Sequence, residues 1–184
     1  MRIIAGEFKG KKLFPIRGLS IRPTTDYLRE SIFNILGDRI KDRVVLDLFA
    51  GTGSLGIEAL SRGAASAVFI DRYLPAVRTI ERNISACSLE KRCTVLRMDI
   101  LGGLNLLRSI SPPFDLVFID PPYKQALVVP TLKLLHRARC LLRGATIVVE
   151  HSVRESLAEK IAAFSLIDQR QYRKTLVSFY EYVI

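Results

Sequence analysis

The chain has 184 residues, 49% of them hydrophobic, which is enough to bury a sizeable core and excludes a disordered chain. Its 28 Lys and Arg against 18 Asp and Glu leave a net charge of +10 and a pI near 9.9, a balance suited to polyanionic partners through phosphate contacts and counterion release. The longest apolar runs are strand-length and the first residues, MRIIAGEFKGKKL, scatter charge through the sequence, so neither a membrane span nor a signal peptide is expected. Cys87, Cys93 and Cys140 have no metal-ligand spacing and read as buried thiols in a reducing cytoplasm. His136 and His151 are too few for a histidine metal site, and no metal is expected.

In chain order, Arg2 to Leu13 reads as a small β-hairpin turning through Gly6 or Gly10. An irregular stretch with Pro15, Gly18 and Pro23 follows, and Thr24 and Thr25 read as caps of a helix from Asp26 to Leu36 that stops at Gly37. From Val44 strands and helices alternate. Strands are expected at Val44–Leu46, Ala67–Ile70, Thr94–Leu96, Leu116–Ile119 and Ala145–Val149. Helices are expected from Leu74 with Pro75 in the first turn, around Leu101–Leu107, over Leu127–Ala138 and over Val153–Ala162. Two final strands, Leu166–Tyr172 and Leu176–Val183, have no helix between them and read as an antiparallel hairpin. The fold class is therefore α/β and Rossmann-like. Its twisted sheet is mostly parallel, with seven strands, helices on both faces and an antiparallel C-terminal edge. One domain is expected over 1–184, with 1–25 a basic N-terminal extension and 26–184 the core.

The stretch VVLDLFAGTGSLG places Gly51, Gly53 and Gly56 between a strand and a helix, the context in which G-x-G-x-x-G marks a nucleotide-type ligand at a helix start. Asp47 precedes it. A carboxylate there suits a cationic ligand better than a pyrophosphate, and S-adenosylmethionine carries an amino group and a sulfonium. Asp71, Asp99 and Asp120 then follow successive strands, which points to one crevice lined by carboxylates at the carboxyl edge of the sheet. Asp71 is placed to hydrogen-bond ribose hydroxyls, and Asp99 to accept from an adenine amine, with Met98 beside it and Ile100 over the ring; a helix cap is an equal reading of Asp99. Phe49 and Arg72 complete the cofactor-binding set. Asp120-Pro121-Pro122-Tyr123 is the sharpest motif. Its prolines have no N–H and leave their carbonyls free, and its aromatic offers a stacking face for a base. The Asp carboxylate and a proline carbonyl can accept the two hydrogens of an exocyclic NH2 group, freeing its lone pair for attack on a methyl group.

RIIAGEFKGKKL, IRPTTDYLRESIFNIL, DLFAGTGSLGIEALSRGA and DPPY, in that order, resemble the bacterial RsmD family of class I S-adenosylmethionine-dependent methyltransferases. The resemblance covers nearly the whole chain. It implies methylation of the N2 amine of one guanine in 16S ribosomal RNA, within an assembling 30S subunit, by a cytoplasmic monomer. It implies that the RPTTD segment (Arg22, Thr24, Thr25) and Arg29 sit at the mouth of the site and help hold RNA. The basic positions Lys9, Lys11 and Lys12 join them as expected RNA contacts. Ala5 departs from the family, whose members usually carry glycine there. Two other readings stay open: another RNA or DNA amine methyltransferase, and a dinucleotide-binding oxidoreductase. The latter accounts for the glycines and Asp71 but not for DPPY.

Overall fold

A computed structural model describes residues 1–16, 26–122 and 125–184. The expectations for Arg22, Thr24, Thr25 and Tyr123 fall outside the described residues. Strands β1 (Val44–Leu48), β2 (Ser66–Asp71), β3 (Cys93–Arg97), β4 (Phe114–Ile119) and β5 (Leu141–Ser152) pair in parallel. β6 (Lys160–Ile161), β7 (Phe164–Tyr172) and β8 (Thr175–Tyr182) add an antiparallel edge, and the sheet order is β3-β2-β1-β4-β5-β8-β7-β6. The order reverses between β1 and β4, the place where open α/β sheets form a ligand crevice outside the strands' carboxyl ends.

Both faces are covered, which is why the inner strands read as near-continuous apolar runs. Helices α1 (Asp26–Leu36), α2 (Ser54–Ser61) and α3 (Leu74–Ala86) bury Phe33, Ile57 and Ile80 in one core with Val45, Phe69 and Phe118. On the opposite face α4 (Leu107–Ile110) and α5 (Val128–Ala138) bury Leu107, Leu132 and Leu135 with Leu46, Val117 and Ile147. No helix among the described residues is long and apolar enough to cross a membrane.

The architecture is the expected one, with four local corrections. The sheet has eight strands rather than seven. Val153–Ala162 is not a helix: β5 continues to Ser152, and the short strand β6 then pairs with β7 across a turn at Ala162, whose φ is 53°. Val153, Leu157 and Ile161 imitate helical spacing, but the backbone of this segment finds other partners. The Ala158 carbonyl accepts from the Tyr180 hydroxyl at 2.8 Å and the Glu159 carbonyl from the Leu166 N–H at 2.7 Å. Around Leu101–Leu107 there is a 3-10 turn at Ile100–Gly102 and only the four-residue α4, because Gly102-Gly103 interrupts the helix and Gly103 has a φ of 114°. Residues 1–13 form a loop closed by one antiparallel bridge, Arg2 to Lys12, rather than a two-stranded hairpin. The reason is that Ile4 and Ala5 donate their N–H groups to Glu58 of α2, at 2.8 and 3.0 Å, instead of to the facing segment.

Candidate active site

At the β1/β4 reversal lies a cavity of about 800 Å³, within the size range of small-molecule sites. One wall is the turn between β1 and α2. Phe49 and Gly51 lie in the left-handed region (φ 59° and 57°), Gly53 follows at 76°, and the chain folds back tightly enough for Gly53 to donate to the Ala50 carbonyl at 2.7 Å. Gly56 serves packing instead: a Cβ there would meet Phe69 at 2.3 Å, so only glycine lets α2 sit this close to β2. A buried asparagine, Asn83 of α3, ties this wall to the N-terminal segment. Its Nδ2 donates to the carbonyls of Thr52 (2.9 Å) and Phe14 (3.2 Å), while its Oδ1 accepts the Phe14 N–H at 2.7 Å.

Asp71 lines the cavity with both carboxylate oxygens engaged, accepting the Gly51 N–H at 3.0 Å and the Tyr73 N–H at 2.9 Å. Each oxygen retains a second lone-pair direction, so the group can hold the turn and still accept from a ligand hydroxyl. Met98, Ile100 and Leu101 give the wall an apolar stretch interrupted by Asp99, whose side chain caps the 3-10 turn by accepting the Leu101 N–H at 3.0 Å. Phe49, Arg72, Asp120, Pro121 and Pro122 line the same cavity, as do Leu13, Pro15 and Ile16 of the N-terminal segment. The structure thus gathers three of the four strand-end acids, Asp71, Asp99 and Asp120, around one space.

Asp47 is the exception. It is 2% exposed and does not line the cavity; its Oδ2 accepts the Gly56 N–H at 2.9 Å, bracing the first turn of α2. Burial pushes its carboxyl up to about 8, with Asp71 adding to the rise and the Gly56 N–H opposing it. The expectation that it faces the cationic end of a ligand is corrected to a bracing role. Arg29 also departs from expectation. It is wholly buried rather than at an open mouth, and its Nη2 donates to the Arg2 carbonyl and, at 3.0 Å, to Asp26. Burial lowers its pKa against the pull of Glu58 and Asp26. It secures the N-terminal loop from below. Lys9, Lys11 and Lys12 lie exposed on that loop.

Three residues were not among those the sequence singled out. Glu58 is buried and accepts from Ile4, Ala5 and, at 2.8 Å, Arg62. Asn83 is buried on the apolar side of α3, and a polar residue beside the Val77–Ile80–Ile84 stripe was the signal available for it. Glu150, at the carboxyl end of β5, is buried and lines the cavity; it is a fifth strand-end acid, legible as such. A second cavity of about 620 Å³, lined by His136, Arg137, Arg139 and Arg143, lies at the opposite edge of the sheet, away from the glycine turn.

Comparison with known proteins follows the same lines. A family model described as conserved hypothetical protein 95 matches residues 1–181. YlbH of Bacillus subtilis is 38% identical over 181 residues, 98% of each chain. Ribosomal RNA small subunit methyltransferase D of Escherichia coli K12 is 36% identical over 166 residues, 90% of this chain and 82% of its own. The solved structure of yhhF from Escherichia coli matches with a TM-score of 0.86 at 34% identity, covering 100% of this chain and 98% of that one.

Proposed function

The chain belongs to the RsmD family, the family of conserved hypothetical protein 95, and from that premise we propose that it methylates the exocyclic N2 amine of a guanine in 16S ribosomal RNA, using S-adenosylmethionine. The observation that carries the reading is the meeting, in one cavity, of the glycine turn and Asp71 with Asp120-Pro121-Pro122. A ligand held by the first group is presented to a base held by the second.

The residues fit the cofactor. Asp71 offers acceptors for ribose hydroxyls, Met98 and Ile100 an apolar wall for adenine, Asp99 an acceptor for its amine, and Phe49, Gly51 and Arg72 the rest of the cradle. When bound, S-adenosylmethionine supplies a methyl group on a sulfonium that leaves as a neutral thioether. The protein's work is placement. Asp120 accepts one hydrogen of the target amine and a proline carbonyl the other, which turns the nitrogen lone pair out of conjugation with the ring and toward the methyl carbon. Asp120 would also take up the proton that the amine sheds on methylation and pass it to solvent. Tyr123 provides the stacking face, and Lys9, Lys11, Lys12, Arg22, Thr24 and Thr25 the phosphate contacts. The chain acts in the cytoplasm as one catalytic domain and as a monomer on rRNA within an assembling 30S subunit.

Asp120→Asn tests this directly. It keeps the shape, removes the charge and presents an NH2 donor to the amine. Single-turnover methyl transfer at saturating cofactor and RNA should fall about 10²–10³-fold. A folded variant that transfers methyl at the wild-type rate would remove the basis of the proposal.

A further inference from the structure

The cavity contains a second carboxylate next to Asp120. β4 and β5 pair in parallel with Ile119 opposite Val149, so the residues that follow, Asp120 and Glu150, leave neighbouring strands side by side, with backbones about 4.8 Å apart. Strand alternation puts both on the face that carries Phe118 and Val148, and both line the cavity. The end of β5 is held firmly. His151, which follows Glu150, has its Nε2 2.8 Å from the Ser178 hydroxyl and its Nδ1 3.0 Å from the Glu155 carbonyl. Glu150 therefore projects from a fixed backbone, the condition a recognition residue needs.

Resting on the guanine reading above, we propose that Glu150 is a specificity-determining residue that accepts the N1–H of the target guanine while Asp120 accepts from its N2 amine. Along that edge guanine carries two donors side by side, the ring N1–H and the exocyclic amine. Adenine and cytosine each place a ring-nitrogen lone pair beside their amine. Two neighbouring acceptors match guanine; against adenine or cytosine one of them would face a lone pair, a buried polar mismatch of the kind that gives strong discrimination. Asp120 alone reads an amine. Asp120 with Glu150 reads which amine.

The test uses a 16S rRNA fragment in which the target guanine is replaced by 2-aminopurine, which keeps the amine but has a lone pair at N1, or by inosine, which keeps N1–H but has no amine. Single-turnover transfer from labelled S-adenosylmethionine is measured on each. The wild type should prefer guanine over 2-aminopurine by roughly 10²-fold or more and leave inosine unlabelled. In Glu150→Gln the amide can donate to the N1 of 2-aminopurine, so the preference should shrink to about tenfold or less, with cofactor affinity by calorimetry unchanged. Glu150→Ala, with neither donor nor acceptor, should lose rate on guanine and little on 2-aminopurine; it provides the readout if the Gln variant does not fold. A guanine-to-2-aminopurine ratio that stays at the wild-type value in the folded variants overturns the assignment of Glu150 while leaving the guanine reading standing. A wild type that labels adenine or cytosine in place of guanine overturns both.

Discussion

Asp47 and Asp71 are the same residue type on neighbouring strands, and their surroundings give them different work. Asp47 is sealed between β1 and α2, where burial raises its carboxyl from 3.8 to about 8. Across that window the folded chain holds a proton that the unfolded chain has released. Its contribution to stability is therefore full below the unfolded value, declines as pH rises, by at most about 1.4 kcal/mol per pH unit, and is lost above the folded value. Asp47→Asn keeps an acceptor for the Gly56 N–H and cannot titrate. Urea unfolding midpoints taken between about pH 5 and pH 8 should fall less steeply for the variant than for the wild type; parallel profiles would contradict the assignment. Asp71 faces the cavity and holds the Gly51 and Tyr73 amides. Asp71→Ala should weaken S-adenosylmethionine binding by about 1–3 kcal/mol, the cost of leaving such partners unpaired, as read by calorimetric titration. Unchanged affinity in a folded variant would remove Asp71 from the cofactor site.

At the scale of elements, the N-terminal loop matters because it supplies part of the cavity wall, through Leu13, Pro15 and Ile16. It is pinned to α2 at Gly6, which lies in the left-handed region at φ 83° with no room for a side chain: a Cβ would fall 1.9 Å from the Ser61 carbonyl oxygen. Gly6→Ala should destabilise the loop by roughly 1–3 kcal/mol, as overpacking does, and hydrogen exchange should show faster exchange of the Glu7 and Phe8 amides, which bond Ser61. Amides that remain protected would mean the loop is held by something else. The elements differ in how readable they were, and the difference is physical. β1, β2 and β4 are apolar on both faces, and each has an acid at or near its carboxyl end, so composition alone marks them. The stretch from Val153 to Ala162 carries apolar residues at helical spacing, yet the carbonyls of Glu155, Ala158 and Glu159 are taken by His151, Tyr180 and Leu166. Tyr180 and Leu166 come from the later strands β8 and β7, so periodicity could not show them. The family resemblance puts Arg29 at the mouth of the site, and the residue type of Asp47 suits a cationic ligand; both are buried instead. Their burial depends on how α1 and α2 settle on the sheet, which no local pattern encodes.

At the scale of the whole molecule, charge and topology act together. The sheet reversal between β1 and β4 makes the crevice, and the exposed Lys9, Lys11 and Lys12 lie on the loop whose later residues wall it. Replacing the three lysines with Gln should weaken RNA binding and flatten its salt dependence by about 0.7–0.9 log units for each phosphate no longer neutralised, with cofactor affinity unmoved. If the salt slope stays where it was, the loop is only a solvated part of the surface. The central claim is the identity of the methylated atom, and one measurement addresses it most directly. Ribosomal RNA from a strain lacking the gene is incubated with the protein and methyl-labelled S-adenosylmethionine; one portion is digested to nucleosides and resolved by chromatography against the isomeric methylguanosine standards, and another is cut by a guanine-specific ribonuclease so that the labelled fragment gives the position. Label confined to N2-methylguanosine, at a single position of 16S rRNA, is the result predicted here; label on another atom or base, or none on any preparation of the RNA, would contradict it.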